Sequence, residues 1–181
     1  MNGIHLARLP FSGKVFCTLF LAGIGLAAIA AFTQAATAVG ISPSAVESSL
    51  APEMPMTGMR HGATSAEKEI DLTQVSSEAK VWIRTPLLIQ TSHTHLFSQT
   101  LIAGLLGLIF LAASISDRWK AAIVALPFVG TFVDIGGMWM TRFVSPSLSF
   151  LVVAGGTLFA VGYVLIAAVS LRDLWFTKEV A

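Results

Sequence analysis

Leu96–Ser116 reads LFSQTLIAGLLGLIFLAASIS, 21 residues without a charge, and the four polar-flanked residues Asp117-Arg118-Trp119-Lys120 follow at once. At a rise of about 1.5 Å per residue, such a run covers the roughly 30 Å of a bilayer's hydrocarbon. Lipid offers no hydrogen-bonding partner to a peptide group, so a run of this kind crosses as a helix with its amides paired internally. The connection after it is too short for anything but an antiparallel return. Ala121–Thr141 is that return, Arg142–Ser147 makes a turn, and Leu148–Leu171 crosses again before a polar tail over 172–181.

Towards the N-terminus, a lead over residues 1–14 carries Arg8 and Lys14, and Val15–Phe32 is apolar and rich in Leu, Ala and Gly. The reading is a first spanning helix over 15–37. Its alternative is a signal peptide, because Ala36-Thr37-Ala38 follows the apolar run in the manner of a cleavage site. Residues 38–94 differ in composition: Pro43, Pro52 and Pro55, many Ser and Thr, and ten charged residues from Glu47 to Arg84. They read as an aqueous loop. Within it, Thr64-x-x-Glu67 has capping-box spacing and Leu72, Val75, Ala79 and Trp82 recur at helical intervals, which predicts an amphipathic helix over about 65–84 that Pro86 ends.

Composition agrees. Of 181 residues, 55% are hydrophobic and 12% charged, against about 25% charged in a soluble domain, and the mean hydropathy is +0.78. The expected fold is an all-α membrane protein of four transmembrane helices, the last three forming a compact antiparallel bundle, with the lipid bilayer as its first partner. A net charge of +1 gives no footprint for nucleic acid. Basic residues of short loops resist translocation. Arg8, Lys14, Arg118, Lys120, Arg172 and Lys178 fall on one side of a four-span chain, with Arg142 alone in the short loop opposite. The expectation is a bacterial inner-membrane protein with both termini cytoplasmic and a periplasmic 38–94 loop.

Three groups of residues could carry chemistry. His93 and His95 stand where the loop meets the second span, expected over 95–116; helical neighbours two apart diverge by about 200°, so they share a ligand only if His93 precedes the helix. Asp134 lies within the third span, where a carboxyl is costly unless it faces the bundle interior and finds partners. Folding about Arg118 sets it level with Ile102, three residues from Gln99 and about seven from His95, and folding about Ser145 sets it by Gly156 and Thr157. Gln99 and Thr157 are its expected hydrogen-bond partners, and Gly136 and Gly137 are expected to meet Ala154–Gly156 in a close small-residue contact. Together His93, His95, Gln99 and Asp134 form a candidate site for a partner group or a small ligand such as haem or a metal. The third group is Met54, Met56 and Met59 with His61, whose thioethers and imidazole suit copper(I). Interfacial and packing roles are the alternatives for all three.

The segment from Trp82 to Trp175 resembles a group of small bacterial multi-pass inner-membrane proteins. The resemblance lies in Thr94-His95-Leu96-Phe97, Asp134-Ile135-Gly136-Gly137-x-Trp139 and Leu171-x-Asp173-Leu174-Trp175, and it implies a shared three-helix core and no reaction. Histidines at the head of a helix also resemble those of haem-binding respiratory subunits, but the axial histidine on a facing helix that a bis-histidine haem needs is missing. The sequence has no phosphate-cradling loop, serine elbow, zinc-protease motif or Cys-x-x-Cys, and its lone Cys17 cannot form an internal disulfide. The function expected is a non-enzymatic accessory or assembly component, acting with a membrane-protein partner or as a homo-oligomer; the alternative is a haem- or copper-binding subunit.

Overall fold

Proline and apolar length set the helix boundaries. The computed structural model describes residues 5–50 and 83–177. Among them the chain forms a 3-10 turn at Leu6–Arg8, then α1 (Phe11–Ala38), α2 (Pro43–Leu50), α3 (Thr85–Leu111), α4 (Asp117–Phe143), a 3-10 turn at Pro146–Ser149, and α5 (Phe150–Trp175). No strand occurs among the described residues. Helices α1, α3, α4 and the Pro146–Trp175 segment are each long and apolar enough to cross a membrane.

Helix α3 begins well before the span expected over 95–116. Pro86 sits in its first turn, where the ring's fixed φ suits a helix and its missing N–H removes a donor that would have no intrahelical partner. The proline expected to end one helix therefore opens the next. The other end is also displaced, because α3 stops at Leu111 and not at Ser116. Ala112 N–H returns to Ile109 O and Ala113 N–H to Phe110 O in tight turns. Ser116 is extended, and α4 starts with Asp117 in its first turn, where a carboxylate complements the helix dipole. The stretch expected as a loop, 117–120, is thus helical. The amphipathic helix expected over about 65–84 lies outside the described residues except for Ile83 and Arg84, which are not helical. The short α2 arises instead in a stretch read as irregular loop.

The antiparallel bundle of α3, α4 and α5 is tightest between α4 and α5. Gly155 packs so closely that a Cβ there would collide with the backbone N and Cα of Asp134, and a Cβ on Gly130 would reach Phe159 N and Gly155 O. Gly137 against Leu151 and Val152, and Gly162 against Pro127, continue this seam at seven-residue intervals. Backbones meet directly here, as small residues permit in membranes. The expected contact is corrected in one respect. Gly136 and Gly156 face open space, and only Gly137 and Gly155 enter the seam.

Helix α1 is tied on at one end only. Leu6 N–H donates to Ala112 O (3.0 Å), Tyr163 Oη–H to Leu21 O (2.6 Å) and Trp175 Nε1–H to Thr18 Oγ1 (3.0 Å). Cys17 and Leu21 join Leu106, Phe110, Ile166 and Leu174 in the core, whereas Leu26 and Phe32 are 70% and 63% exposed and face the lipid. At the same end Asp173, fully buried, accepts from Ser114 N–H, from Arg172 (2.8 and 3.1 Å) and from Thr177 Oγ1–H (3.1 Å). The opposite end carries α2. There the buried Arg142 donates to Leu50 O (3.1 Å) and Thr85 Oγ1 (3.4 Å), Ile83 N–H donates to Ser49 O (3.0 Å), and Val46, Leu50 and Leu88 form a second apolar cluster.

Candidate functional site: a polar seam between α3 and α4

The inward stripe of α3 runs Leu88, Ser92, His95, Gln99, Ala103, Leu106, Phe110, at the three- and four-residue spacing of one helix face. Its second half is apolar and fully buried, while Ser92, His95 and Gln99 are half-buried and polar. Trp139 Nε1–H donates to Ser92 Oγ (2.8 Å), and Gly107 lies against Val124. These two contacts fix the register between α3 and α4. They bring the Gln99 side chain against the Asp134 carboxyl. Asp134 itself is 8% exposed and faces the bundle interior.

The expected level of Asp134 with Ile102 is therefore corrected to a level with Gln99. The cause is the early end of α3, since turning at 112–116 and not at 117–120 slides α4 along α3. The slide also carries Asp134 towards His95, which stands one turn from Gln99 on the same face. Two polar atoms of this seam are buried without a hydrogen-bond partner, His95 Nδ1 and Gln99 Oε1. Thr157, the other expected partner of Asp134, is exposed on α5 and donates to Val153 O of its own helix (2.7 Å). The third span brings Asp134 to Gly155, as its neighbour across the α4–α5 seam, and not to Thr157.

His93 does not join the cluster. Both histidines lie inside α3, so they diverge, and His93 is exposed over a shallow surface depression with Leu96, Phe97, Thr100 and Leu101. A ligand held by both imidazoles is incompatible with this helix. Among the described residues no three His, Cys, Asp or Glu side chains gather as a metal site. Met54, Met56, Met59 and His61 lie outside the described residues.

Depth follows from the aromatic residues. Trp119 and Trp139 are exposed near opposite ends of α4, and the rise from one to the other is about 30 Å, the thickness of the hydrocarbon. Tryptophans favour the membrane interfaces. On this scale Asp134 lies about 7 Å inside the interface marked by Trp139, and α2 and the first turns of α3 stand outside it. Arg8, Lys14, Arg118, Lys120 and Arg172 belong to the Trp119 end and Arg142 to the α2 end.

Sequence reasoning missed three polar anchors. Ser92 occupies the inward stripe one turn before His95, and that periodicity was the signal for it. Arg142 and Asp173 read as flanking charges, because nothing local distinguishes a charge that leaves a helix end from one that folds back onto a connection.

The comparisons with known proteins fit this architecture. The family of transmembrane helical domains Aq_1264_TM matches residues 72–181, more than half of the chain. The chain belongs to this family, and the matched segment contains α3, α4 and α5. No curated protein and no solved structure matches it.

Proposed function

We propose that this chain is a non-enzymatic accessory or assembly component of a bacterial inner membrane, with both ends cytoplasmic and α2 on the periplasmic side. The polar seam of His95, Gln99 and Asp134 is its point of contact with a partner or small ligand. One observation carries the reading: Gln99 Oε1, on the side chain that meets the buried Asp134 carboxyl, and His95 Nδ1, one turn along the same face of α3, are both buried without partners. An unmet buried polar atom costs about 1–3 kcal/mol, and a span that carries two of them one turn apart is organised to receive a further group. The clustering of basic residues at the Trp119 end supports the orientation. The absence of any nucleophile-and-base constellation from the sequence supports a binding role over a catalytic one.

Crosslinking of native membranes followed by mass spectrometry tests the proposal. The expected result is a reproducible partner whose yield falls about tenfold in Gln99→Leu, the loss of about 1.4 kcal/mol that one such contact supplies. A chain recovered alone would contradict it. A Soret band in the purified protein that disappears in His95→Ala would replace the accessory role with the alternative, a haem-binding subunit.

A further inference from the structure

Three separate elements are tied to the bend after α3. Lys120 Nζ–H donates to Leu111 O (2.9 Å), Leu6 N–H donates to Ala112 O (3.0 Å), and Asp173, which holds Arg172 (2.8 Å), accepts from Ser114 N–H. Helix α1 joins the same end through Trp175, whose indole donates to Thr18 Oγ1 (3.0 Å) and meets the Phe11 ring edge-on at 6.3 Å. Thr18 Oγ1–H in turn donates to Lys14 O (2.8 Å). These contacts collect at one end of the bundle five cations that are far apart in sequence, Arg8, Lys14, Arg118, Lys120 and Arg172. The carboxylates described at this end do not balance them. Asp173 is fully buried within its own hydrogen bonds, and Asp117 lies 4.0 Å from Lys120. The side chains of Arg8, Lys14 and Arg118 have no hydrogen-bond or ion-pair partner among the described residues. The α2 end differs, since its buried Arg142 donates to Leu50 O and Thr85 Oγ1.

We infer that the Trp119 end of the chain is a docking surface for the headgroups of anionic phospholipids. Phe11, Trp119 and Trp175 are exposed at this end, and tryptophan settles at the level of the headgroups, so the cations stand at the height of lipid phosphates and not in bulk water. A guanidinium pairs with phosphate oxygens through two parallel hydrogen bonds, and an ammonium meets the same group as a point charge. A zwitterionic headgroup carries its own cation and leaves the excess positive charge unanswered, whereas phosphatidylglycerol supplies the missing negative charge. The exposed aromatic rings select a lipid over a soluble phosphate, because acyl chains can lie against those rings and a soluble phosphate has no apolar part to match them. The inference is independent of the polar seam between α3 and α4.

Quenching of tryptophan fluorescence by brominated lipids tests this in the full chain, reconstituted in phosphatidylcholine bilayers. In a Trp82→Phe, Trp139→Phe chain the two remaining tryptophans, Trp119 and Trp175, report the surface itself. Brominated phosphatidylglycerol is expected to associate about fivefold more tightly than brominated phosphatidylcholine, the factor for the ~1 kcal/mol that one basic side chain gains beside an anionic membrane surface. Raising the salt concentration should weaken that preference. Replacing Arg8, Lys14 and Arg118 together by Gln should bring the ratio to about one while quenching by brominated phosphatidylcholine stays as in the parent, which shows that the bundle is intact. Arg118→Gln alone, an exposed change, should lower the ratio and keeps the test readable if the triple variant does not fold. Gln99→Leu should leave the ratio unchanged, so the surface and the seam are judged separately. Equal association of the two lipids in the parent chain, or an undiminished preference in the triple variant, would overturn the proposal. So would equal association together with a crosslinked partner lost in the triple variant, which would assign the surface to an acidic protein.

Discussion

Gly155→Leu is expected to leave no folded bundle, whereas Gly156→Leu, one residue along, leaves it intact. At position 155 the first side-chain carbon would occupy the space of the Asp134 backbone, and a backbone cannot rotate out of the way as a side chain can. The helices would have to separate, opening the contact of Gly130 with Phe159 as well. Overpacking of a core costs about 1–3 kcal/mol when side chains can yield, and here they cannot, so the loss should exceed about 3 kcal/mol, a large part of a typical domain's stability. Close packing matters more in lipid, where burial of apolar surface does not itself drive helices together. At 156 a Cβ meets nothing within 4 Å, and the change should stay within about 0.5 kcal/mol. Detergent unfolding midpoints of the two variants check this, and similar midpoints would contradict the backbone seam.

The second large effect is expected at Asp173. Its carboxylate is fully buried and gathers Ser114 N–H, Arg172 and Thr177, so it holds the α3–α4 connection against the end of α5. Asp173→Ala leaves the Ser114 amide without its acceptor and releases that connection. Hydrogen bonds to a charged group are worth about 1.5–3 kcal/mol. Because Arg172 is more than half exposed and regains water, the total should stay near 3 kcal/mol and not reach the cost of breaking a fully buried pair. Asp173→Asn keeps an acceptor and should recover part of the loss. Limited proteolysis at 112–116 reads the outcome, and a connection equally protected in Asp173→Ala would show that the carboxylate does not hold it.

Four apolar runs and the short connections between the last three made the helical membrane fold legible from composition and length alone. The positions of the turns were less so. Charges at 117–120 drew the expected loop to themselves, yet Asp117 serves a helix start and the neutral residues 112–116 make the bend. That shift of a few residues decides which side chains face Asp134. The inward direction of Asp134 was readable, since a carboxyl in hydrocarbon has to find partners, and so was its pairing with Gln99. Excluding His93 required knowing that α3 begins at Thr85, and Thr157 was misplaced because the glycine seam rotates its face of α5 away from α4.

The register of α3 against α4 carries the site, and paired cysteines measure it directly. In a Cys17→Ala chain, Gln99→Cys with Asp134→Cys brings two thiols to facing positions, from which helix breathing has to reach the Cα separation of about 4.4–6.8 Å that a disulfide tolerates. Ile102→Cys with Asp134→Cys sets them about a turn apart. Oxidation in native membranes followed by counting of free thiols should show the first pair closed and the second open. Closure of the Ile102 pair with the Gln99 pair left free would contradict the polar seam described here.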